Sequence, residues 1–214
     1  MKRMNIVIFG GSGFIGTAVC KELIQRKHTV TSISRHGQPD RLTDEWARNV
    51  HWLHSDILND TKWQTAVKEA DWVIDAIGIL KEDPAKNSTY DRFIVEPIKR
   101  IAAFLNQQTM PAKCLFLSAN NAPFPFQRYM QAKREAEQLL NDQTFPHTII
   151  YPSLVMDQQR PTSVLGGKMI LFFKKIPVVN MLFKKYDPIT RQNLAIEIAN
   201  VVEGQNSLLT QRRG

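Results

Sequence analysis

A glycine-rich turn close to the start of the chain places the tightest constraint on its fold. The apolar run Asn5–Phe9 is typical of a buried strand and leads into Gly10-Gly11-Ser12-Gly13-Phe14-Ile15-Gly16. The next residues, Thr17–Lys27, place apolar side chains in helical spacing. A strand that breaks at glycines into a helix is typical of a dinucleotide-binding unit, although the glycine spacing alone also fits an ordinary turn.

The glycines have distinct predicted roles. Gly10 permits a tight strand-to-helix turn, Gly13 leaves space for a pyrophosphate, and Gly16 lets the helix pack closely against the strand. The free N–H groups and the positive dipole end of the helix suit an anion. We therefore expect the phosphates of a cofactor at Gly10, Gly11, Ser12, Gly13, Phe14, Ile15 and Gly16.

Apolar strands alternate with helical patterns along most of the remaining chain. Strands are predicted at Thr29–Ser34, Val50–His54, Asp71–Ala76, Lys113–Ser118 and His147–Tyr151, and helices at Thr61–Glu69, Tyr90–Gln107, Arg128–Asn141 and Arg191–Val202. This alternation predicts an α/β fold with a doubly wound parallel sheet, the Rossmann fold. A ligand is expected beyond the carboxyl ends of the strands.

The length of 214 residues predicts a single NAD(P)-binding domain over residues 1–214. Residues 157–190 contain several prolines and Gly166-Gly167, and we expect them to form a small irregular lobe on the substrate side. Within this lobe, two apolar pieces each end in paired lysines, Lys168–Lys175 and Met181–Lys185. We favour packing of these pieces over the cofactor rather than contact with an anionic membrane, because Pro177 interrupts any long amphipathic helix.

The composition is that of a globular protein, with 43% hydrophobic and 22% charged residues. Cys20 and Cys114 are far apart, which favours a reducing compartment and thiols that fill the core. The chain shows neither a signal peptide nor an apolar run of membrane-spanning length, so a cytoplasmic location is predicted. The net charge of +8 is scattered, which favours a basic solvated surface and no nucleic-acid partner. The histidines lack ligand spacing, and no metal site is predicted.

The residue after the second strand indicates which cofactor is bound. An acidic side chain at this point would bind a ribose 2′-hydroxyl and select NAD, but the chain has Ser34-Arg35-His36. The guanidinium of Arg35 fits a 2′-phosphate, and Ser12 can add a hydrogen bond. We therefore predict NADP(H) in preference to NAD, with a plain surface charge as the alternative role of Arg35.

Tyr129 and Lys133 are the candidate reacting pair, because four positions of spacing place them on the same face of a helix. A tyrosine that exchanges a proton near neutral pH needs its phenolate stabilised, and an adjacent ammonium can do this. Ser118, Asn120 or Asn121 in the preceding loop can orient a carbonyl group. The same spacing also occurs as a solvated surface pair.

With these marks the chain resembles the short-chain dehydrogenase/reductase superfamily, in its atypical and extended branch, and especially its small NmrA-like and complex I accessory-subunit-like groups. Further similar segments are Ser55-Asp56-Ile57, Ala76-Ile77-Gly78, Leu117-Ser118-Ala119, Tyr151-Pro152-Ser153-Leu154-Val155 and the stretch 187–195. The resemblance implies that Asp56 and Ile57 face the adenine. It also implies that Ala76, Gly78, Lys133, Tyr151, Pro152 and Ser153 contact the cofactor.

Three features depart from the family pattern. The chain is shorter than the sugar-nucleotide epimerases of the extended class, which makes an epimerase of UDP or GDP sugars a weaker expectation. The interval from Ser118 to Tyr129 is slightly short, and the familiar second serine is Ala119. The segment 120–126 is rich in proline and aromatic residues and can form part of an apolar substrate wall.

Two functions follow as hypotheses. The first is an NADP(H)-dependent oxidoreductase that passes a hydride to a small carbonyl or quinone, with Tyr129 as proton donor, Ser118 orienting the acceptor, and Lys133 lowering the pKa of the phenol. The second is a non-catalytic NADP(H)-binding redox sensor, which needs the glycine turn and Arg35 but not Tyr129. The intact tyrosine–lysine pair favours the enzyme. A homodimer is implied by family analogy.

Overall fold

A computed structural model describes residues 2–122, 125–157 and 188–213. Within this part of the chain, six strands form one parallel sheet in the order β3-β2-β1-β4-β5-β6. The strands are β1 (Asn5–Phe9), β2 (Thr29–Ser34), β3 (Val50–His54), β4 (Trp72–Asp75), β5 (Lys113–Leu117) and β6 (His147–Ile150). A separate parallel pair joins β7 (Val155–Met156) to β8 (Ile189–Thr190). The predicted doubly wound α/β fold is confirmed.

The helices lie between these strands, as the alternation predicts. They are α1 (Phe14–Gln25), α2 (Trp63–Lys68), α3 (Glu96–Leu105), α4 (Gln127–Asn141) and α5 (Arg191–Val202). Short 3₁₀ turns cover Glu45–Asn49, Pro84–Lys86 and Leu208–Thr210. At the start of α5 the hydroxyl of Thr190 accepts a hydrogen bond from the Asn193 N–H at 3.1 Å, which caps the helix.

The predicted helix Tyr90–Gln107 is not uniform. Asp91–Val95 form a π-helical turn that continues into α3. Pro97 lies in the first turn of α3 and has no N–H to donate to the Phe93 carbonyl four residues earlier. This missing donor interrupts the α-helical ladder and accounts for the π turn, which turns Phe93 into the groove described below.

The sheet buries a hydrophobic layer on each face, because successive strand residues point to opposite sides. One layer contains Val7, Phe9, Phe116 and residues of α2, α3 and α4. The other contains Ile6, Ile8, Leu115 and residues of α1 and α5. Trp63 anchors the first layer, with its ring edge-on to Phe9 at 5.5 Å and to Phe104 at 5.2 Å between ring centres. Burial of both faces explains the continuous apolar runs within β1 and β5.

The register brings the carboxyl ends of the strands to one edge. Phe9 lies opposite both Ile33 and Asp75, and Asp75 lies opposite Phe116. The loops that follow β1, β2, β4 and β5 therefore start side by side. They carry the predicted site residues Gly10–Gly13, Arg35, Ala76, Gly78 and Ser118, and this edge is where a parallel sheet binds its ligand.

Most of the predicted lobe lies outside the described residues. Of the segment 157–190, only Asp157, Pro188, Ile189 and Thr190 are described. The two lysine-ended apolar pieces, Lys168–Lys175 and Met181–Lys185, and the Gly166-Gly167 pair also lie outside. In the described ranges, no helix is both long enough and apolar enough to span a membrane.

Candidate dinucleotide-binding site

The glycine turn joins β1 to α1 at the carboxyl edge of the sheet. Gly10 adopts a left-handed conformation with a φ of +76°, and its carbonyl accepts the Gly13 N–H at 2.9 Å. A Cβ on Gly13 would lie 3.0 Å from that carbonyl oxygen. α1 begins at Phe14 with no side-chain cap at Gly13, and the N-terminal turn of a helix is a favourable place for an anion. This geometry fits the phosphates of a dinucleotide.

The other two glycines of the turn are required by packing. A Cβ on Gly16 would lie 2.2 Å from the Gly10 carbonyl oxygen, and one on Gly11 would lie 2.3 Å from Ser32 Oγ. Gly16 was predicted to let the helix pack closely against the strand, and its nearest neighbours are Gly10 and Gly11, which directly follow β1. Because α1 begins at Phe14, Gly16 belongs to its first turn and packs against the glycine turn itself.

A groove of about 250 Å³ runs along this edge of the sheet. Its walls come from the ends of β1, β2, β3 and β4 and from the π-helical turn. Among its lining residues are eight that the sequence assigned to a cofactor: Gly10, Ser12, Gly13, Arg35, Asp56, Ile57, Ala76 and Gly78. The structure therefore places residues from four separate loops around one groove.

Phe14 and Ile15 support the turn without lining the groove. The Phe14 carbonyl accepts a hydrogen bond from Arg191 Nη1 at 3.2 Å, and its ring lies 5.2 Å from the Arg191 guanidinium carbon. Ile15 packs against the core layer of α1 and α5. These contacts fix the start of α1 against α5.

Arg35 directly follows β2 and is exposed at the groove. Its guanidinium carbon lies 5.0 Å from the centre of the Phe93 ring. Ser34, the last residue of β2, donates its hydroxyl hydrogen to the Gly37 carbonyl at 3.1 Å, which shapes the loop behind Arg35. This strand end therefore presents a cation on an aromatic platform. Sequence reasoning did not identify Phe93, whose role depends on the π turn.

Asp56 lies in the loop after β3, and its carboxylate accepts two hydrogen bonds from residues of the same loop. One oxygen accepts from the Leu58 N–H at 3.0 Å and the other from the Asn59 side chain at 2.7 Å. Asp60 stabilises this loop, because its carboxylate accepts hydrogen bonds from the Ser55 hydroxyl at 2.5 Å and from the Asp56 N–H at 2.8 Å. Asp60 is a supporting residue that the sequence analysis missed, and hydrogen bonding to the Ser55 hydroxyl is the main cause of its lowered pKa.

Asp75 is a further residue that the sequence analysis missed. It ends β4 with its side chain fully buried, and one oxygen accepts the Ile77 N–H at 3.0 Å. Its other oxygen has no hydrogen-bond partner in the described part of the chain. Burial raises its pKa to about 7, opposed by the Ile77 N–H and by the charge of Lys133. A carboxylate ending a buried apolar strand was the available signal.

Tyr129 and Lys133 share a face of α4, as their spacing predicts. Lys133 is buried, and its Nζ donates to the Leu117 carbonyl at 2.6 Å. The same Nζ lies 5.9 Å from the centre of the Tyr129 ring and 4.7 Å from that of Phe116. Tyr90 meets the Tyr129 ring edge-on at 5.8 Å.

The structure does not give Tyr129 the lowered pKa that the sequence analysis expected. Burial, together with a smaller effect of the neighbouring Tyr90, raises the pKa of Tyr129 to about 12, whereas the sequence predicted a lowering by Lys133. Burial also lowers the pKa of Lys133 to about 8, although the charges of Asp75 and Glu137 oppose this. Loss of hydration disfavours the charged form of each side chain, the phenolate of Tyr129 and the ammonium of Lys133. Near neutral pH, Tyr129 therefore carries its proton.

Ser118 lies at the carboxyl end of β5, where its hydroxyl donates to the carboxylate of Glu137. Glu137 comes from α4, one turn beyond Lys133, and its carboxylate also accepts two hydrogen bonds from Arg212, at 2.6 and 2.8 Å. The described contacts thus join Ser118 to Glu137 and not to Tyr129. A catalytic role for Ser118 stays a prediction.

The segment after β6 lies beside this network. Tyr151 donates its N–H to the Leu209 carbonyl at 2.7 Å, and the Pro152 carbonyl accepts the Asn120 N–H at 2.8 Å. Ser153 follows and is half-buried. Asn121 accepts the Ala122 N–H at 2.9 Å within its own loop. The structure thus brings Ser118, Asn120, Tyr151 and Pro152 together at the ends of β5 and β6.

Solved structures share this fold. The chain is similar to a UDP-glucuronic acid 4-epimerase from Bacillus cereus in complex with NAD, with 16% identity, a TM-score of 0.66, and coverage of 94% of this chain and 73% of that one. It is also similar to a UDP-N-acetylglucosamine 4-epimerase from Methanobrevibacter ruminantium, with 20% identity, a TM-score of 0.66, and coverage of 95% and 74%. At these identities the likeness shows the fold alone.

Similar sequences extend over different lengths. MIOREX complex component 2 of Saccharomyces cerevisiae is 23% identical over 198 residues, which cover 81% of this chain and 70% of that protein. The epimerase family protein SDR39U1 of Bos taurus is 52% identical over 40 residues, only 19% of this chain and 14% of that one. The expected resemblance to the dehydrogenase/reductase superfamily is confirmed. The NAD(P)H-binding family matches residues 10–177, most of the chain, and the protein belongs to that family.

Proposed function

We propose that the protein is an NADP(H)-dependent oxidoreductase that acts on a small carbonyl compound or quinone. The observation that carries the cofactor choice is Arg35, an exposed cation at the end of β2 in the position where an acid would select NAD. A guanidinium suits a 2′-phosphate because it offers several donors and a permanent charge. Phe93 holds this guanidinium at the groove wall.

The glycine turn would hold the phosphates, with Asp56 and Ile57 on the adenosine side and Ala76 and Gly78 across the groove. Bound NADPH supplies a hydride to an electrophilic carbon or a quinone ring. Tyr129 keeps its proton near neutral pH, which is the form that a proton donor needs. The ammonium of Lys133 would stabilise the phenolate that remains after the proton has left.

Cofactor choice is tested by binding. NADPH and NADH are titrated against the wild type and Arg35→Gln, with Arg41→Gln as the control, because Arg41 is an exposed arginine in the loop that follows. A hydrogen-bonded charge contributes about 1.5–3 kcal/mol, so Arg35→Gln should weaken NADPH binding roughly 10- to 100-fold and leave NADH binding unchanged. Equal affinities for the two cofactors in the wild type would reject the NADP preference.

Turnover is tested by following the absorbance of NADPH over a panel of quinones, aldehydes and ketones, with Tyr129→Phe as the matched variant. Loss of most turnover with unchanged NADPH affinity would support Tyr129 as the proton donor. Equal rates in the wild type and Tyr129→Phe would reject that role. The ring of Tyr129 packs against Tyr90, and phenylalanine preserves this contact.

A specific observation favours a second candidate, a non-catalytic NADP(H)-binding redox sensor. The Ser118 hydroxyl, which a reductase would use to orient a carbonyl oxygen, is engaged by Glu137. A sensor needs the groove and Arg35 alone. Tight NADPH binding without turnover on any acceptor, together with a biological role that survives Tyr129→Phe, would favour the sensor over the enzyme.

A small-molecule substrate, a cytoplasmic location and a homodimer complete the proposal. The dimer rests on the analogy with related proteins that pair through helices. Mass measurement of the native protein tests it directly: a species of twice the chain mass supports the dimer, and a monomer at micromolar concentration rejects it.

A further inference from the structure

The residues near the C-terminus of the described chain cross the carboxyl ends of β5 and β6. We refer to residues 208–213 as the strap. The Leu209 carbonyl accepts the Tyr151 N–H at 2.7 Å, and the Arg213 N–H donates to Asn120 Oδ1 at 2.7 Å. The 3₁₀ turn Leu208–Thr210 begins after Ser207, whose hydroxyl accepts the Leu209 N–H at 3.2 Å. The strap is therefore held by hydrogen bonds to both strand-end loops.

Arg212 makes several of the strap's side-chain contacts. One nitrogen of its guanidinium donates to the carbonyls of Ala119, at 3.0 Å, and Asn120, at 2.7 Å. A second nitrogen donates to both carboxylate oxygens of Glu137, at 2.6 and 2.8 Å. The guanidinium carbon also lies 4.7 Å from the centre of the Tyr151 ring. One side chain thus joins the loop after β5, helix α4 and the loop after β6.

The charge of Arg212 determines what Glu137 can do. The Glu137 residue is only 9% exposed, and an unpaired carboxylate at such a place is costly. Arg212 neutralises it, and the carboxylate can then accept the hydroxyl of Ser118 as well. Without the guanidinium, the backbone carbonyls at positions 119 and 120 would lose this donor, and the Glu137 carboxylate that holds the Ser118 hydroxyl would lose its counter-charge.

The topology indicates which part of a ligand this network faces. A doubly wound sheet binds a dinucleotide across the crevice between two mononucleotide-binding halves. The groove that contains Arg35 and Asp56 is built by the ends of β1 to β4 and corresponds to the adenosine half. The second half of the site then falls to the ends of β4, β5 and β6, where Ser118, Tyr151 and Arg212 lie.

We infer that Arg212 is a positioning residue that assembles the nicotinamide half of the dinucleotide site by fixing Ser118 and Tyr151 through Glu137 and the loop backbone. This rests on the proposed function, since it requires that the protein bind a nicotinamide dinucleotide. Arg212 acts on the site through these other groups and not by contact with the ligand. It should therefore affect recognition of the nicotinamide and leave recognition of the adenosine half intact.

The test compares ligands with and without the nicotinamide. Dissociation constants are measured for NADPH against 2′-phospho-ADP-ribose, and for NADH against ADP-ribose, so that the result does not depend on the choice between the two cofactors. Wild type, Arg212→Gln and Arg212→Lys are compared. We expect Arg212→Gln to weaken binding of both reduced dinucleotides about tenfold or more while both ribose fragments bind as before. The reason is that the buried carboxylate of Glu137 would lose its charged partner. Arg212→Lys keeps the charge but not the fork of donors and should give a smaller loss.

Arg26→Gln is the matched control, because Arg26 also pairs with a partly buried glutamate, Glu203, at 2.6 Å, but at the opposite end of the sheet. It should lower the thermal transition and change neither ligand ratio. Unchanged dinucleotide affinities in a folded Arg212→Gln protein would overturn the inference. An equal loss of dinucleotides and ribose fragments in both Arg212 variants would also overturn it, since Arg212 would then support the whole fold.

The wild type separates this inference from the proposed function. If the wild type binds none of the four ligands, both fall. If it binds the ribose fragments as tightly as the dinucleotides, cofactor binding stands, and the inference fails because no nicotinamide half is formed. If it prefers NADH, the NADP preference fails, and the comparison of NADH with ADP-ribose still decides the role of Arg212.

Discussion

The guanidinium of Arg35 stands over the ring of Phe93, with 5.0 Å between the guanidinium carbon and the ring centre. The two residues come from different layers of the fold. Arg35 follows β2, and Phe93 belongs to the π-helical turn before α3. Both residues line the groove, and their contact restrains the long, flexible side chain of Arg35.

Phe93→Leu removes this aromatic platform. A cation over a ring at an exposed site contributes about 0.5–1 kcal/mol, so we expect the ratio of NADPH affinity to NADH affinity to fall roughly two- to fivefold. Titration of both cofactors measures the ratio. Phe104→Leu is the control, because Phe104 lies on α3 but packs against Trp63. An unchanged ratio in Phe93→Leu would show that Arg35 needs no platform.

Gly16→Ala should destabilise the fold. The added Cβ would lie 2.2 Å from the Gly10 carbonyl oxygen and 2.6 Å from the Gly11 Cα, so the backbone of the turn must move. Overpacking costs typically about 1–3 kcal/mol, and a clash with backbone falls at the upper end of that range. Urea unfolding measures the loss. In Gly78→Ala the new Cβ meets Lys133 Nζ at an ordinary 3.8 Å, and its stability should stay close to that of the wild type.

Asp75→Asn should change how stability depends on pH. The folded-state pKa of Asp75 is raised to about 7, mainly by burial, so its protonated form favours the folded state. This contribution is complete below the ordinary aspartate pKa near 4 and is lost as the pH rises through about 7. The free energy of unfolding of Asp75→Asn should therefore increase relative to that of the wild type as the pH rises from 4 to 8.

Urea unfolding at several pH values across this window measures the difference, with Asp40→Asn as the control at an exposed position. Each unit of pKa shift corresponds to about 1.4 kcal/mol, which sets the scale of a few kcal/mol for a fully buried group. A pH profile of Asp75→Asn that runs parallel to that of the wild type would contradict the assignment.

The thiols should be inert in the folded protein. Cys20 and Cys114 are both fully buried. Burial raises the pKa of Cys20 to about 12, and burial together with the nearby Asp75 raises that of Cys114 still further above its ordinary value. A chromogenic disulfide reagent at pH 8 should detect no thiol in the native state and both thiols in guanidinium chloride. Rapid reaction of either thiol before unfolding would contradict this.

The sequence predicted the strands well because each is a local pattern. The bounds of β1, β2 and β3 agree with the predicted ones, since each strand-forming run ends at a residue that strands disfavour or at a polar one, namely Gly10, Arg35 and Ser55. The predicted first residues of the helices were less accurate. α1 begins at Phe14 and not at Thr17, because the helix uses the last residues of the glycine turn.

The site was predicted in part for the same reason. Gly10, Gly13 and Arg35 stand at fixed distances along the chain from β1 and β2, so their place in the groove follows from local spacing. The raised pKa of Tyr129 could not be predicted, because it depends on how deeply α4 buries the ring against Tyr90.

The sequence by itself determined the alternation of strands and helices, the glycine turn and the cation after β2, because these depend on side-chain periodicity and on spacing within a few residues. Only the tertiary structure decided that Ser118 binds Glu137, that Arg212 reaches Glu137 across 75 positions of sequence, and that Phe93 lies beneath Arg35. Such pairs are brought together by the order of strands in the sheet and by the crossing of helices over it. Their sequence separation carries no signal of the contact, and the low dielectric of a buried site then sets their charges.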